Sequence, residues 1–287
     1  QAGYAPQAFV TMFEKLQQAS PLNDDGSFPY LRTHPLTTER IADMQARAQL
    51  SAGPPLPALT VQQAMITARA QVLSNPGVDA LRAAVEGAQT AALAGKSPAR
   101  QAGALYAGVL ASMNQRHFGQ ARELLQHLTP LVAGDAPAAR LANLLAAEVA
   151  WNAGDAQRVL ALVAPNAPGR PELVLTSEAR IRTGQALAAA QRLQTWVAVH
   201  PRDASAWQLL ASADGAQGET LRAIRAEAEA QVALLDYAAA VDRFKAAQDL
   251  VRKRISAGQP VDHIEASIID ARLRDVQLLL KEQTLKH

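Results

Sequence analysis

The histidines are the residues of this chain best suited to chemistry, because a neutral imidazole is a common zinc ligand and a usable base near neutral pH. They are His34, His117, His127, His200, His263 and His287. A catalytic zinc takes three protein ligands and keeps one position for water. Zinc proteases often supply two of the ligands as HExxH on one helix, with its glutamate as general base. No HExxH occurs here and no histidine has another four residues away, so a metal site cannot be assembled from one local helix. The chain has no cysteine, which excludes disulfides, thiolate zinc sites and cysteine nucleophiles. Neither GxxxxGK[ST] nor GxGxxG is present, so nucleotide chemistry has no support. Glu39-Arg40 and the charges from Glu227 to Asp242 have the spacing of weak pairs on helix surfaces and receive no catalytic role.

The elements that must position any site are helices. Of 287 residues, 49% are hydrophobic but only 4% aromatic. Alanine and leucine dominate, the composition of closely packed helices, and the expected fold class is all-α. A net charge of +2, with arginines scattered among acidic residues, makes nucleic acid an improbable partner. No run approaches the length needed for a transmembrane segment, and Gln1 does not open a signal peptide. If the parent is exported, its signal is expected upstream of Gln1.

Phe9, Met12, Phe13 and Leu16 share one helical stripe over residues 6 to 19. The turn-forming cluster from Ser20 to Arg32 then predicts an exposed loop. A second helix is expected from Thr37 or Thr38, placing His34 and Pro35 just before its N-terminus. The prolines of Ser51-Ala-Gly-Pro-Pro-Leu-Pro-Ala58 end that helix and mark a linker over 51–59.

From 60 to 287 the chain predicts stacked helix-turn-helix units. Phe118, Ala121, Leu125 and Leu128 set a spacing that Tyr237, Ala240, Phe244 and Ala247 repeat. Gly184, Ala189, Leu193, Trp196 and Pro201 fit the turn glycine, packing residues and terminal proline of a tetratricopeptide (TPR) repeat, and Trp207 and Leu210 open the next unit. Small residues are needed where paired helices cross and large ones where pairs stack. The long connection from Ala164 to Pro171 marks a place where the array is expected to bend or break. Ile268, Ile269, Leu273, Val276 and Leu280 predict a terminal helix, 264 to 286, that caps the stack.

The opening from Gln1-Ala-Gly-Tyr4 to Leu16, together with Ser27 to Met44 and its Thr33-His34-Pro35 segment, resembles the end of the peptidase domain in BepA-like M48 metalloproteases. These are periplasmic zinc enzymes carrying TPR repeats. Residues 1–50 carry the specific match, whereas the TPR likeness is generic. The resemblance implies a TPR-like helical-hairpin solenoid preceded by two helices from the end of a metalloprotease domain. It further implies a periplasmic location, zinc in the intact parent with HExxH and a glutamate ligand upstream of Gln1, and a fragment that is inactive alone. The expected partners are polypeptide substrates and the outer-membrane assembly machinery. For His34 two readings stand, a regulatory zinc ligand in the parent or a residue that orders its loop by hydrogen bonding.

A solenoid of this kind presents the first helix of each pair along an inner face suited to peptides. The repeat register places Tyr106, Leu110, Met113, Glu148, Trp151, Glu178 and Gln208 as candidates to line it. Trp151 is either a binding anchor or a core residue beside the Asn152-Ala-Gly-Asp155 turn. The lysine and asparagine cradle of chaperone-adaptor TPR domains is not apparent. The competing class is a non-enzymatic TPR scaffold that only tethers partners.

Overall fold

A computed structural model describes residues 10–12, 42, 45, 46, 58–93 and 95–285. The chain divides into two compact units, Gln1–Thr60 and Val61–His287. In the first, Val10, Thr11 and Met12, and then Ala42, Gln45 and Ala46, are helical. His34, the turn-rich segment around it and the prolines of the linker lie outside the described residues.

The second unit is an all-α helical-hairpin solenoid, with no strand among the described residues. Its helices are α1 (Val61–Ser74), α2 (Val78–Leu93), α3 (Pro98–Asn114), α4 (Phe118–Val132), α5 (Ala136–Asn152) and α6 (Ala156–Leu162). There follow α7 (Arg170–Arg182), α8 (Ala186–Val199), α9 (Ala204–Ala216), α10 (Thr220–Ala233), α11 (Tyr237–Ser256) and α12 (His263–Leu285).

One turn design recurs. After α3, α5, α7, α9, α10 and α11 the chain passes through a residue with φ between 62° and 84°: Arg116, Gly154, Gly184, Gly218, Leu235 and Gly258. The next N–H then returns to a carbonyl inside the finished helix, as His117 to Ser112, Asp155 to Ala150, Gln185 to Arg180 and Asp236 to Gln231. This left-handed closure satisfies carbonyls that a helix end leaves free, and glycine adopts it without strain. The following helix is often capped by aspartate. Asp155 accepts from the Arg158 N–H and Asp236 from the Ala239 N–H, a bond typically worth about 1 kcal/mol.

Helices α3, α5, α7 and α9 contact one another in series, while α4, α6 and α8 each pack against the helix before and the helix after. The long connection around Pro165 therefore does not break the array, because α7 still packs on both α5 and α6. The register changes elsewhere. Left-handed turns close every second helix through Gly218, but the next one, Leu235, comes after a single helix. From there α10 contacts α12 in the way α7 contacts α9, so α10 ends one hairpin and begins another. Arg272 grips Glu229 through two bonds of 2.7 and 2.8 Å, and Arg225 pairs with Glu265, tying α12 to α10.

The apolar interior is a chain of adjoining clusters. The first runs from Met65 to Val149, the second joins Leu144 to Ala179, the third joins Leu173 to Ala226, and the last is centred on Phe244, Ile269 and Val276. Ala121, Leu125, Leu128, Ala240 and Ala247 are buried as their spacing required. The terminal helix buries Ile269, Leu273 and Val276 but leaves Ile268 exposed.

At the start of the array α3 is enclosed by two helices that scarcely touch each other. Gly103 faces α1, where a Cβ would stand 3.2 Å from the Ala64 carbonyl oxygen. Gly108 faces α2, where a Cβ would stand 2.3 Å from that of Ala88. The two glycines admit both neighbours at backbone distance.

Candidate polypeptide-binding face

Counting back from the left-handed turn residues gives equivalent positions on the first helix of each pair. Six residues before Arg116, Gly154 and Gly184 stand Leu110, Glu148 and Glu178; three before the first two stand Met113 and Trp151. Tyr106 and Gln208 share a position ten residues before Arg116 and Gly218. The sequence-derived set thus occupies repeated positions on α3, α5, α7 and α9, the helices that contact one another in series.

Its first part is covered by the chain itself. Helix α1 packs along α3 and reaches α5. Arg69 of α1 donates from Nη1 to the Tyr106 hydroxyl at 3.1 Å and to Glu148 Oε2 at 3.0 Å. Tyr106 is 2% and Leu110 1% exposed, so neither is presented to a partner, a correction to the expected lining. Helix α1 is the physical reason. Burial also pushes the Tyr106 hydroxyl above the usual phenol range, an effect that Arg69 opposes. The phenol therefore stays neutral and can accept from Arg69.

Beyond α1 the lining is more open. Met113 is half-buried, and Asn152 donates from Nδ2 to its Sδ at 3.5 Å and to the Glu148 carbonyl at 2.8 Å. Trp151 is half-buried with the Arg182 guanidinium 5.3 Å above its ring, a cation–π contact of about 0.5–1 kcal/mol. It packs against the apolar cluster that joins Leu144 to Ala179, and part of its side chain stays exposed. Burial pushes the Glu178 carboxyl above its usual range, and Glu178 makes no ion pair within 4.0 Å among the described residues. Gln208 is exposed on α9.

Sequence reasoning missed Arg69 and Asp203. Asp203 accepts from the Ala206 N–H at 3.2 Å, from Trp196 Nε1 at 3.0 Å, and from Arg170 at 2.7 and 2.8 Å. The Pro201-Arg-Asp203 pattern before an apolar helix signals the cap, whereas nothing local signals the partner of Arg69.

Among the described residues no group of three His, Asp or Glu side chains is placed to hold a metal ion. His34 lies outside them, so no zinc chemistry is derived from this geometry. No family model and no curated protein matches the chain.

Proposed function

We propose that this protein binds polypeptide segments along the inner face of α5, α7 and α9. The observation that carries the reading is α1. The face already holds a helix of its own chain, through backbone approach at Gly103 and a hydrogen-bonded arginine–glutamate pair. Glu178 repeats the position of Glu148 one unit on but makes no ion pair among the described residues. A cationic or amide-rich segment with an apolar side chain for Trp151 is the complementary occupant.

The likeness of residues 1–50 to BepA-like M48 enzymes supports a wider proposal. In it the protein is the TPR-bearing portion of a periplasmic zinc metalloprotease and chaperone for outer-membrane protein quality control. Its face then takes misassembled substrates and assembly-machinery partners, His34 regulates the parent's zinc, and the portion alone is catalytically incomplete. A TPR scaffold without peptidase would use the same face, and zinc content of the protein expressed with its upstream coding sequence separates the two.

Binding is tested by fluorescence anisotropy with labelled lactalbumin, reduced and aminoethylated at its cysteines so that the unfolded polypeptide carries added cations. Trp151→Ala and Glu178→Lys are expected to weaken binding about tenfold with unchanged circular dichroism. Undiminished binding by both variants, or none by the parent chain, refutes the reading.

A further inference from the structure

A second site lies at the connection between α6 and α7, away from the repeated positions above. Arg192 of α8 turns toward this connection, donating from Nη1 to the Pro165 carbonyl at 2.6 Å and to Thr176 Oγ1 at 2.9 Å, and from Nη2 to the Ala167 carbonyl. Arg180 of α7 reaches the same Pro165 oxygen by one long bond of 3.5 Å. Two guanidiniums therefore converge on one neutral carbonyl.

Glu172 attracts Arg192, but both of its oxygens already accept from Arg140, at 2.6 and 2.8 Å. Neither Arg180 nor Arg192 forms a salt bridge among the described residues. Arg69, Arg140, Arg170, Arg225 and Arg272 all do. Burial, and then the charge of Arg180, hold the Arg192 guanidinium below its usual range. Like charges brought together and partly desolvated oppose folding. A guanidinium has five N–H donors. The bonds above use three on Arg192 and one on Arg180, leaving donors on both.

These donors border a cavity of ≈ 640 Å³. Its apolar lining includes Leu173, Pro168, Ala188, Trp196 and Val199, of which Val199 is 70% exposed. Trp196 is fixed on its other edge by the Nε1 bond to Asp203 and stacks on His200 at 3.9 Å between ring centroids. The result is a fixed aromatic wall beside two cations that form no ion pair among the described residues. Arginine forks match carboxylate geometry, and an apolar body beside the charge selects against a small hydrated anion.

We propose that this cavity captures the C-terminal carboxylate of a polypeptide whose last side chain is large and apolar. The carboxylate bridges Arg180 and Arg192, and the side chain lies against Trp196 and Val199. This rests on the reading of the protein as a polypeptide binder and adds a preference for chain ends.

The probe is a fluorescein-labelled hexapeptide ending in leucine–phenylalanine, titrated with the full chain by anisotropy. Amidating its C-terminus is expected to weaken binding at least tenfold, and replacing the last two residues by serines to do the same. Arg180→Gln, which removes only one long bond from the fold, is expected to weaken it five- to tenfold. Trp151→Ala leaves hexapeptide binding unchanged while weakening lactalbumin binding. Equal affinity for free and amidated peptides, or indifference to Arg180→Gln, overturns the proposal. So does displacement by millimolar inorganic phosphate combined with no loss for the serine-ended peptide, which marks a site for free anions. No hexapeptide binding with lactalbumin binding retained overturns this site alone, and loss of both overturns the polypeptide reading as well.

Discussion

Asp214→Asn is expected to stabilise the fold at neutral pH, by an amount that vanishes in acid. Asp214 lies in the last turn of α9, is 2% exposed, and has a buried Oδ2 without a hydrogen-bond partner among the described residues. The negative end of the helix dipole adds to the cost of ionising it there. Burial pushes its carboxyl from 3.8 up to about 6, against the attraction of Arg222 and Arg225 and with the help of Glu265 and Glu219. The folded protein therefore holds this proton more tightly than the unfolded chain. Its contribution is fully present below pH 3.8 and is lost as pH rises through about 6. At ~1.4 kcal/mol per pH unit the interval corresponds to about 3 kcal/mol as an upper bound. Urea unfolding of both proteins from pH 4 to 8 measures the difference directly. The variant should gain progressively on the parent between pH 4 and 6.5 and hold a constant advantage of about 1–3 kcal/mol above that. A difference that does not change with pH refutes the assignment of a buried, protonated Asp214.

Asp203 has the opposite sign. Arg170 chiefly, then Trp196 and the Ala206 N–H, hold its carboxyl down at about 2 against the effect of burial. Asp203→Ala should cost about 2–4 kcal/mol at pH 7 by chemical denaturation, and the deficit should shrink as pH falls from 4 toward 2. Gly108→Ala should cost about 1–3 kcal/mol by the same measurement, because its Cβ meets the rigid Cβ of Ala88 and must move α2. Gly119→Ala, where a Cβ meets nothing within 4 Å, serves as the control that should lose no stability.

The helices, and those turns that a glycine marks, are legible in the amino-acid sequence. Alanine-rich stretches with apolar residues three and four apart can bury only one stripe, and Gly154 and Gly184 fix turns because a left-handed residue favours glycine. Equivalent positions such as Glu148 and Glu178 follow from counting back from those turns. Arg116 and Leu235 adopt the same conformation without glycine, so the half-repeat change of register at α10 had no comparable local mark. Tertiary structure alone decided what covers the face. The Arg69 to Glu148 contact spans 79 residues, and no local spacing encodes it. Whether Leu110 meets solvent or joins the cluster with Met65 and Val72 of α1 depends on which helices pack against α3. The same holds for Arg180 and Arg192, two ordinary helical arginines in the sequence that meet at the Pro165 carbonyl only where a long connection folds back between them.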